Sequence, residues 1–514
     1  MFSFIQDTIW KNTNTQPVVI GVSGLSRSGK TVFITSLIRN LLMSTKNPSA
    51  LKSFGLVKEG RLRNSRLVPL DLKNRATAPT PRFPYHDFIK ALAGQSPDWP
   101  IPTSTSSEIE VEVFYGRDPI GGPETSRRII LRDFPGERLV DIPISTYNMT
   151  YTQWSQSVFK SCQAGARSAI SEEWIAFTKS RRLSDPVDQH FLITGHNLYR
   201  RFLMRCRRER GLVNLQPGLF LCPETSETDD GRVDQWFRER EQFWFFPMQG
   251  SGETSFQTGT IGSALEEKFL EYRERNVRQY FDQIFSGGTV RQIVLVDLLT
   301  ALSRGEEPFQ DMVQAISSFW GSLNQHNDLD ISNVSFDTNQ PLLDEASRFF
   351  SDAWNTVSSY GTNEINKLLY GPNRVLFAAT KADHLPASQR NNLTVLLEET
   401  LGDTFIKSKF EYAQKASCQY LSSVRCTNDG TVVVNGNHLD AVVGRPVGQD
   451  KQIKAVLQIP HCLPTREYWE RVEQLQSSGF SVPVFQPPVI HENGSIPHIS
   501  LDNALNFLIG DDFK

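Results

Sequence analysis

Residues 24–31 read Gly-Leu-Ser-Arg-Ser-Gly-Lys-Thr, a pair of glycines bracketing four residues and followed at once by a lysine and a hydroxyl. That order suits one kind of chemistry. Gly24 and Gly29 let the main chain wrap closely around an anion, so that successive N–H groups of Ser26, Arg27, Ser28, Gly29 and Val32 can cradle the α and β phosphates of a nucleotide at a helix N-terminus. Lys30 adds a point charge toward the β and γ phosphates, and the Thr31 hydroxyl can ligate Mg²⁺.

Two shorter patterns extend the chemistry. Asp133-Phe134-Pro135-Gly136-Glu137 has the form D-x-x-G. A carboxylate at Asp133 can hold Mg²⁺ through water, and the Gly136 N–H can meet a γ phosphate. Thr380-Lys381-Ala382-Asp383 offers a carboxylate able to accept from both the guanine N1–H and the 2-amino group, an arrangement adenine cannot match, so it points to GTP and GDP. The Lys381 stem would pack on the base, Thr380 would tie its loop to the phosphate loop, and a backbone N–H at Ser423 or Val424 would meet the guanine oxygen.

These groups must be carried by particular elements. Val18 to Val22 is a short β-branched run that predicts a buried strand, and from Lys30 to Leu42 the apolar spacing turns helical, so the glycine loop joins a strand to a helix. Ile109, Val111 and Val113 alternate with Glu110 and Glu112; after a Gly and Pro cluster (Gly116 to Pro123), Ile129 to Leu131 leads into Asp133, which predicts an antiparallel hairpin. Residues 45–104 lack strong periodicity and read as loop with short helical pieces. Helical spacing fills 153–180, 188–209, 264–285 and 308–369, strand-like runs return at Ile293–Val296 and Val375–Ala379, and TVVVNG, DAVVG and KAVLQIP after residue 430 suggest a small β-rich piece before a helix at Leu501–Leu508. The expectation is an α/β protein with a largely parallel sheet. Its first part spans 1–150, an α-helical insertion 151–285, the second part of the nucleotide domain 286–430, and a C-terminal β-rich module with a closing helix 431–514.

Composition sets the outer limits. The 514 residues are 39% hydrophobic, enough for more than one core. With 54 Lys and Arg against 57 Asp and Glu, nothing in the balance favours a nucleic-acid partner. Six scattered cysteines form no metal-ligand spacing and fit a reducing compartment. No apolar run reaches the roughly 20 residues of a membrane span, and MFSFIQDTIWKN lacks the build of a signal peptide, so a cytoplasmic protein is expected. Phe2, Phe4, Ile5, Ile9 and Trp10 form one apolar face that would serve a core or touch a membrane, and Arg200, Arg201, Arg205, Arg207, Arg208 and Arg210 form a basic face that would meet anionic lipid, a protein partner or neighbouring acids.

The motif order resembles the Ras-like GTPase class, and most of the chain resembles the YcjX family of bacterial stress-associated P-loop proteins. The residues carrying that resemblance are GLSRSGKT (24–31), WPIPTSTSSE (99–108), DFPGE (133–137), VLVD (294–297), ATKADHLP (379–386) and SSVR (422–425). The resemblance implies a Ras-like domain with a helical insertion, binding of GTP, GDP and Mg²⁺, and a link to envelope-stress or phage-shock responses. Separately, the two faces above leave open a peripheral contact of the cytoplasmic protein with the inner membrane. Against the broader class, Glu137 stands where a water-orienting Gln is common, so hydrolysis should be slow, and Thr380 replaces a more usual Asn. Glu137 can still position or deprotonate water, and Arg27 or Arg138 can supply charge in cis. The loop before residue 109 should sense the γ phosphate, with Thr103, or Thr105 beside it, as its Mg²⁺ ligand. The function expected is a slow GTPase switch. The rivals are a nucleotide-stabilised scaffold without turnover and an ATP-dependent kinase or ATPase.

Overall fold

The computed structural model describes residues 17–25, 27–69, 81–94, 96–100, 106–119, 124–223, 230–250, 255–281, 290–324, 374–411, 415–434, 436–477, 482–491 and 494–513. Ser26, Thr103, Thr105 and the apolar face at Phe2–Trp10 lie outside these residues, as does the part of the expected helical stretch from 325 to 369. The chain divides into two compact units, one of residues 1–135, 287–303 and 372–514, the other of 136–286 and 304–371.

The first unit is built on a seven-stranded sheet. Its strands are β1 (Val18–Gly24), β2 (Leu62–Leu67), β3 (Ser107–Gly116), β4 (Glu124–Asp133), β5 (Val290–Val296), β6 (Arg374–Ala379) and β7 (Lys415–Tyr420), in the spatial order β2-β3-β4-β1-β5-β6-β7. Strands β4, β1, β5, β6 and β7 run parallel, and β2 and β3 join antiparallel at one side. The central strand β1 reads as a continuous apolar run with Val18, Ile20 and Val22 fully buried, as a strand covered on both faces must. Strand β3 instead alternates: Ile109, Val111 and Val113 face the core, while Glu108, Glu110 and Glu112 pair with Arg132, Arg128 and Arg66 on the outer face.

Helix α1 (Lys30–Met43) follows β1 and buries Phe33, Ile34, Leu37, Ile38 and Leu41 in the core that holds the β1 side chains. Residues at the far end of the sequence share that core, because Leu501, Ala504, Leu505 and Leu508 of the helix Leu501–Ile509 belong to the same cluster. A second, three-stranded antiparallel sheet lies between, in the order β10-β9-β8, with β8 Asn428–Val434, β9 Asn437–Gly444 and β10 Ile453–Ala455.

In the second unit every named element among the described residues is helical. Helices Tyr151–Ser161, Gly165–Thr178, Gln189–Arg210 and Ile261–Glu271 surround an aromatic core of Trp154, Trp174, Tyr199, Phe220, Phe245 and Phe269. Trp154 stacks on Phe269 at 5.0 Å, and Tyr199 meets Trp174 edge to face at 5.2 Å. Local capping fixes the helix starts: Thr150 and Gln153 form a reciprocal box, and Asp188 accepts from the amides of His190 and Phe191.

Candidate functional site

The arc that joins β1 to α1 is shaped by backbone conformation. Gly24, Arg27 and Gly29 have φ of 148°, 64° and 92°, so the chain turns its amides inward in a way few side chains tolerate. Gly24 is also crowded: a Cβ there would lie 2.4 Å from the Leu295 carbonyl oxygen and 2.6 Å from Ser28 Oγ. Gly29 has open space around it and is required for its φ alone. The Ser28 amide donates to the Leu25 carbonyl at 3.1 Å, closing the turn, and the buried Ser28 hydroxyl makes no hydrogen bond among the described residues. Lys30 opens α1, and its Nζ arches over the arc to the Gly24 carbonyl at 3.2 Å. Thr31 is buried in the first turn, and half-buried Val32 packs on the cluster of Leu92, Val424, Ile490 and Ile496.

The neighbouring strand brings a carboxylate to this end of the sheet. Asp133 closes β4 opposite Val22 of β1, and the Phe134 amide donates to the Val22 carbonyl at 3.0 Å. Asp133 and Thr31 are both hard oxygen donors of the kind Mg²⁺ prefers.

The ends of β5, β6 and β7 form a second group. The Thr380 amide donates to the Val296 carbonyl at 2.8 Å, and its hydroxyl reaches the same oxygen at 3.3 Å. Thr380 therefore ties its loop to β5, not to the phosphate loop as the sequence suggested, because β5 lies between β1 and β6. Lys381 sits at φ 61° with its Nζ 2.5 Å from Asp297 Oδ2 and 3.0 Å from the Thr300 hydroxyl. Asp297 in turn accepts from the Thr300 amide and hydroxyl, at 3.1 and 2.6 Å. No role for Asp297 was read from the sequence; a strand-end Asp three residues before a Thr, at the head of a helical run, was the available signal.

Asp383 is almost wholly buried. Its Oδ1 accepts from the Ser422 hydroxyl at 2.8 Å and its Oδ2 from the Cys426 amide at 2.9 Å, with His384 Nδ1 3.3 Å from Oδ1. Burial pushes this carboxyl up, but the hydrogen bonds and charge of His384, with the Cys426 amide and the Ser422 hydroxyl, outweigh it and hold the group below the usual range. The ion is kept by His384 beside it and by donors from the loop after β7. That loop is joined to the Asp383 loop by the Ala382 amide, which donates to the Leu421 carbonyl at 3.1 Å, while the Ser423 carbonyl accepts from Ser36 of α1 and Val424 is buried.

Gly136 and Glu137 fall in the helical unit, where Gly136–Asp141 forms a short 3₁₀ segment. Glu137 pairs with Arg207 at 2.7 Å. Arg138 is buried, donates to the Asn276 carbonyl at 3.1 Å and lies over the Tyr280 ring. Asp141 accepts from the Gly218 amide and from the Tyr272 hydroxyl at 2.5 Å, and burial raises its carboxyl to about 7 against the lowering effect of those bonds. Of the basic face, Arg200, Arg201, Arg205, Arg207 and Arg208 each pair with an acid: Asp234, Glu173, Glu209, Glu137 and Asp230. Among the described residues no cluster of His, Cys, Asp and Glu suits a metal ion, all six cysteines are free, and no helix is long and apolar enough to cross a membrane.

Residues 18–513 match the profile of the family described as YcjX-like family, DUF463. The chain is 29% identical over 506 residues to the Ras-like GTPase YcjX of Escherichia coli strain K12, covering 96% of both chains. It is 25% identical over 511 residues to the Ras-like GTPase YcjX of Shewanella oneidensis, covering 96% of this chain and 94% of that one.

Proposed function

Because the chain belongs to the YcjX-like family, we propose that it is a P-loop protein that binds GTP and GDP and hydrolyses GTP slowly as a nucleotide-dependent switch. The observation that carries this reading is the arc from Gly24 to Thr31, with three left-handed residues, a buried Ser28 hydroxyl and a lysine arched across it. A phosphate oxygen would compete with the Gly24 carbonyl for the Lys30 amine. Mg²⁺ would be held by Thr31 and Asp133, with Thr103 as the ligand from the nucleotide-sensing loop, and would neutralise phosphate charge when bound. Asp383 would read the guanine edge; its oxygens already meet Ser422, Cys426 and His384, so of a carboxylate's roughly four acceptor positions about one is open, and the second guanine donor would replace one of these partners.

The helical unit is read as an insertion into the nucleotide domain and as the part that answers to the switch, through Gly136 and Glu137. A cytoplasmic place and a link to envelope stress belong to the same reading through family resemblance. Glu137 has its carboxylate committed to Arg207, which fits slow hydrolysis and favours, as a second reading, a scaffold that binds nucleotide without turnover. Calorimetric titration of GTP, GDP and ATP into wild type and Lys30→Ala tests the phosphate loop: guanine nucleotides should bind the wild type best, and undiminished binding by the variant would remove the assignment. Single-turnover phosphate release then separates switch from scaffold, since the scaffold releases none.

A further inference from the structure

The two loops that the proposed function assigns to phosphate and base are joined by a segment from the far end of the chain. Asn40 of α1 is fully buried and makes a reciprocal amide pair with the main chain of Ile496: its Nδ2 donates to the Ile496 carbonyl at 3.1 Å, and its Oδ1 accepts from the Ile496 amide at 3.0 Å. One residue earlier, Arg39 donates to the Gly494 carbonyl at 2.8 Å. Three residues on, Ile499 and Ser422 exchange both backbone hydrogen bonds, at 2.9 and 3.0 Å, and the Arg425 amide donates to the Pro497 carbonyl at 2.7 Å. Ser422 is the residue whose hydroxyl reaches Asp383.

A shorter link runs beside the first. The Ser36 hydroxyl donates to the Ser423 carbonyl at 2.5 Å, and Asn40 Nδ2 lies 3.3 Å from Ser36 Oγ. Helix α1, which begins with Lys30 and Thr31, is thus held by two routes to the loop after β7, whose Ser422 reaches Asp383, and Asn40 takes part in both. The polar groups of Asn40 are buried and fully matched, the condition under which a network sets one geometry. An apolar residue would fill the same space with no reason to recruit a main-chain segment more than 450 residues away.

We propose that Asn40 is a positioning residue for base selection: by pairing with Ile496 it sets the Ser422–Val424 loop, and through Ser422 the Asp383 carboxylate, against the phosphate-binding end of α1. The proposal rests on the reading of these loops as a guanine-nucleotide site. Selectivity requires that base and phosphates be gripped at one fixed spacing, and the strap from Gly494 to Ser500 supplies that spacing. It also gives residues after the small three-stranded sheet a role in the site.

The test is calorimetric titration of GDP and ADP, with Mg²⁺, into the full chain, its Asn40→Ala and Ser36→Ala variants, and Asn47→Ala as control. Asn47 bonds to Ser495 of the same strap at an exposed position and lies off both routes. Asn40→Ala should weaken GDP binding about tenfold while ADP binding stays within about twofold, so the preference for GDP falls by nearly the full loss. Ser36→Ala should move in the same direction by a smaller factor, and it remains informative if Asn40→Ala does not fold; Asn47→Ala should match wild type. An equal fall for GDP and ADP would reduce Asn40 to a structural residue and overturn the proposal, as would unchanged GDP affinity in Asn40→Ala or, should that variant not fold, in Ser36→Ala. A wild-type protein that binds GDP no better than ADP fails earlier, at the base-site reading itself.

Discussion

Alanine at Gly24 and alanine at Gly29 remove the same freedom from the same arc, yet they should do different damage. At Gly24 the new methyl would lie 2.4 Å from the Leu295 carbonyl oxygen and 2.9 Å from Leu295 Cβ, in a central strand that pairs with β1 on one side and β6 on the other. That backbone cannot withdraw without breaking a ladder. Overpacking of this kind costs about 1–3 kcal/mol, and the φ of 148° adds about 1–2 kcal/mol, giving about 2–5 kcal/mol in all. At Gly29 nothing lies within 4 Å of the added methyl, so only the φ of 92° is penalised, at about 1–2 kcal/mol. Denaturant titration of the full chain, with amide exchange of the β1 and β5 peptides as the local measure, should place Gly24→Ala clearly below Gly29→Ala. Nucleotide titration should show the complementary pattern: Gly29→Ala stays folded but loses phosphate binding, because the amide it reorients belongs to the arc. If Gly29→Ala destabilises β1 and β5 as much as Gly24→Ala, the crowding at Leu295 does not matter and the reasoning fails.

Asp383→Asn should shift base preference from guanine toward xanthine and cost about 1–3 kcal/mol of stability, since an amide NH₂ must then face the Ser422 hydroxyl or the Cys426 amide; competition between GDP and XDP decides it, and an unchanged preference rejects the role. Asp141 has its carboxyl raised to about 7 by burial, so the fold favours its protonated form. Its contribution is complete below the ordinary carboxylate pKa of about 4 and is lost as pH rises through about 7, at up to about 1.4 kcal/mol per pH unit. Melting of the helical unit between pH 5 and 8 should therefore fall more steeply in wild type than in Asp141→Asn; parallel slopes would exclude it. Arg207→Ala releases the Glu137 carboxylate from its 2.7 Å pair, and single-turnover phosphate release should change by several fold if Glu137 handles water and stay constant if it does not.

Local chemistry in this chain was legible, and distant pairing was not. The phosphate loop could be read because strand, glycines, lysine and helix are consecutive, and each residue type has one physical reason to stand there. The antiparallel β3–β4 pair was visible from the alternation of Ile109, Val111 and Val113 with glutamates. Strand β2 was hidden: Leu62–Leu67 lies within a stretch read as loop, because an edge strand carrying Arg63 and Arg66 lacks the apolar run that marks a buried one. That acids would pair the basic face of Gln189–Arg210 could be expected, but which acids could not, because four of the five, Asp234, Glu173, Glu137 and Asp230, come from elsewhere in the chain. Asn40 gave no sign at all. Its partner is a main-chain amide, which any residue possesses, so the side chain at 496 cannot announce the pairing.

The same limit explains how the end of the chain is held. Arg291 and Arg374 lie at the start of the parallel strands β5 and β6, and Arg127 lies in the N-terminal half of β4. Arg291 meets both carboxylate oxygens of Asp512 at 3.1 and 3.2 Å and donates to the Leu508 carbonyl at 3.0 Å, Arg374 bonds the Phe507 carbonyl and Asp511, and Arg127 bonds the Asp512 carbonyl. Cations therefore gather where Leu501–Ile509 ends and its last carbonyls lack helical partners. Burying guanidinium groups is costly unless they are paired, and here Asp511, Asp512 and the helix end pair them. These contacts lie toward the amino ends of the strands, while Gly24, Asp133, Thr380 and Ser422 stand at or just past the carboxyl ends. The sheet thus keeps its anchoring charges at one end and its chemistry at the other, and the final twenty residues touch both: Asp511 and Asp512 secure the helix below, and Ile496 and Ile499 reach the candidate site above.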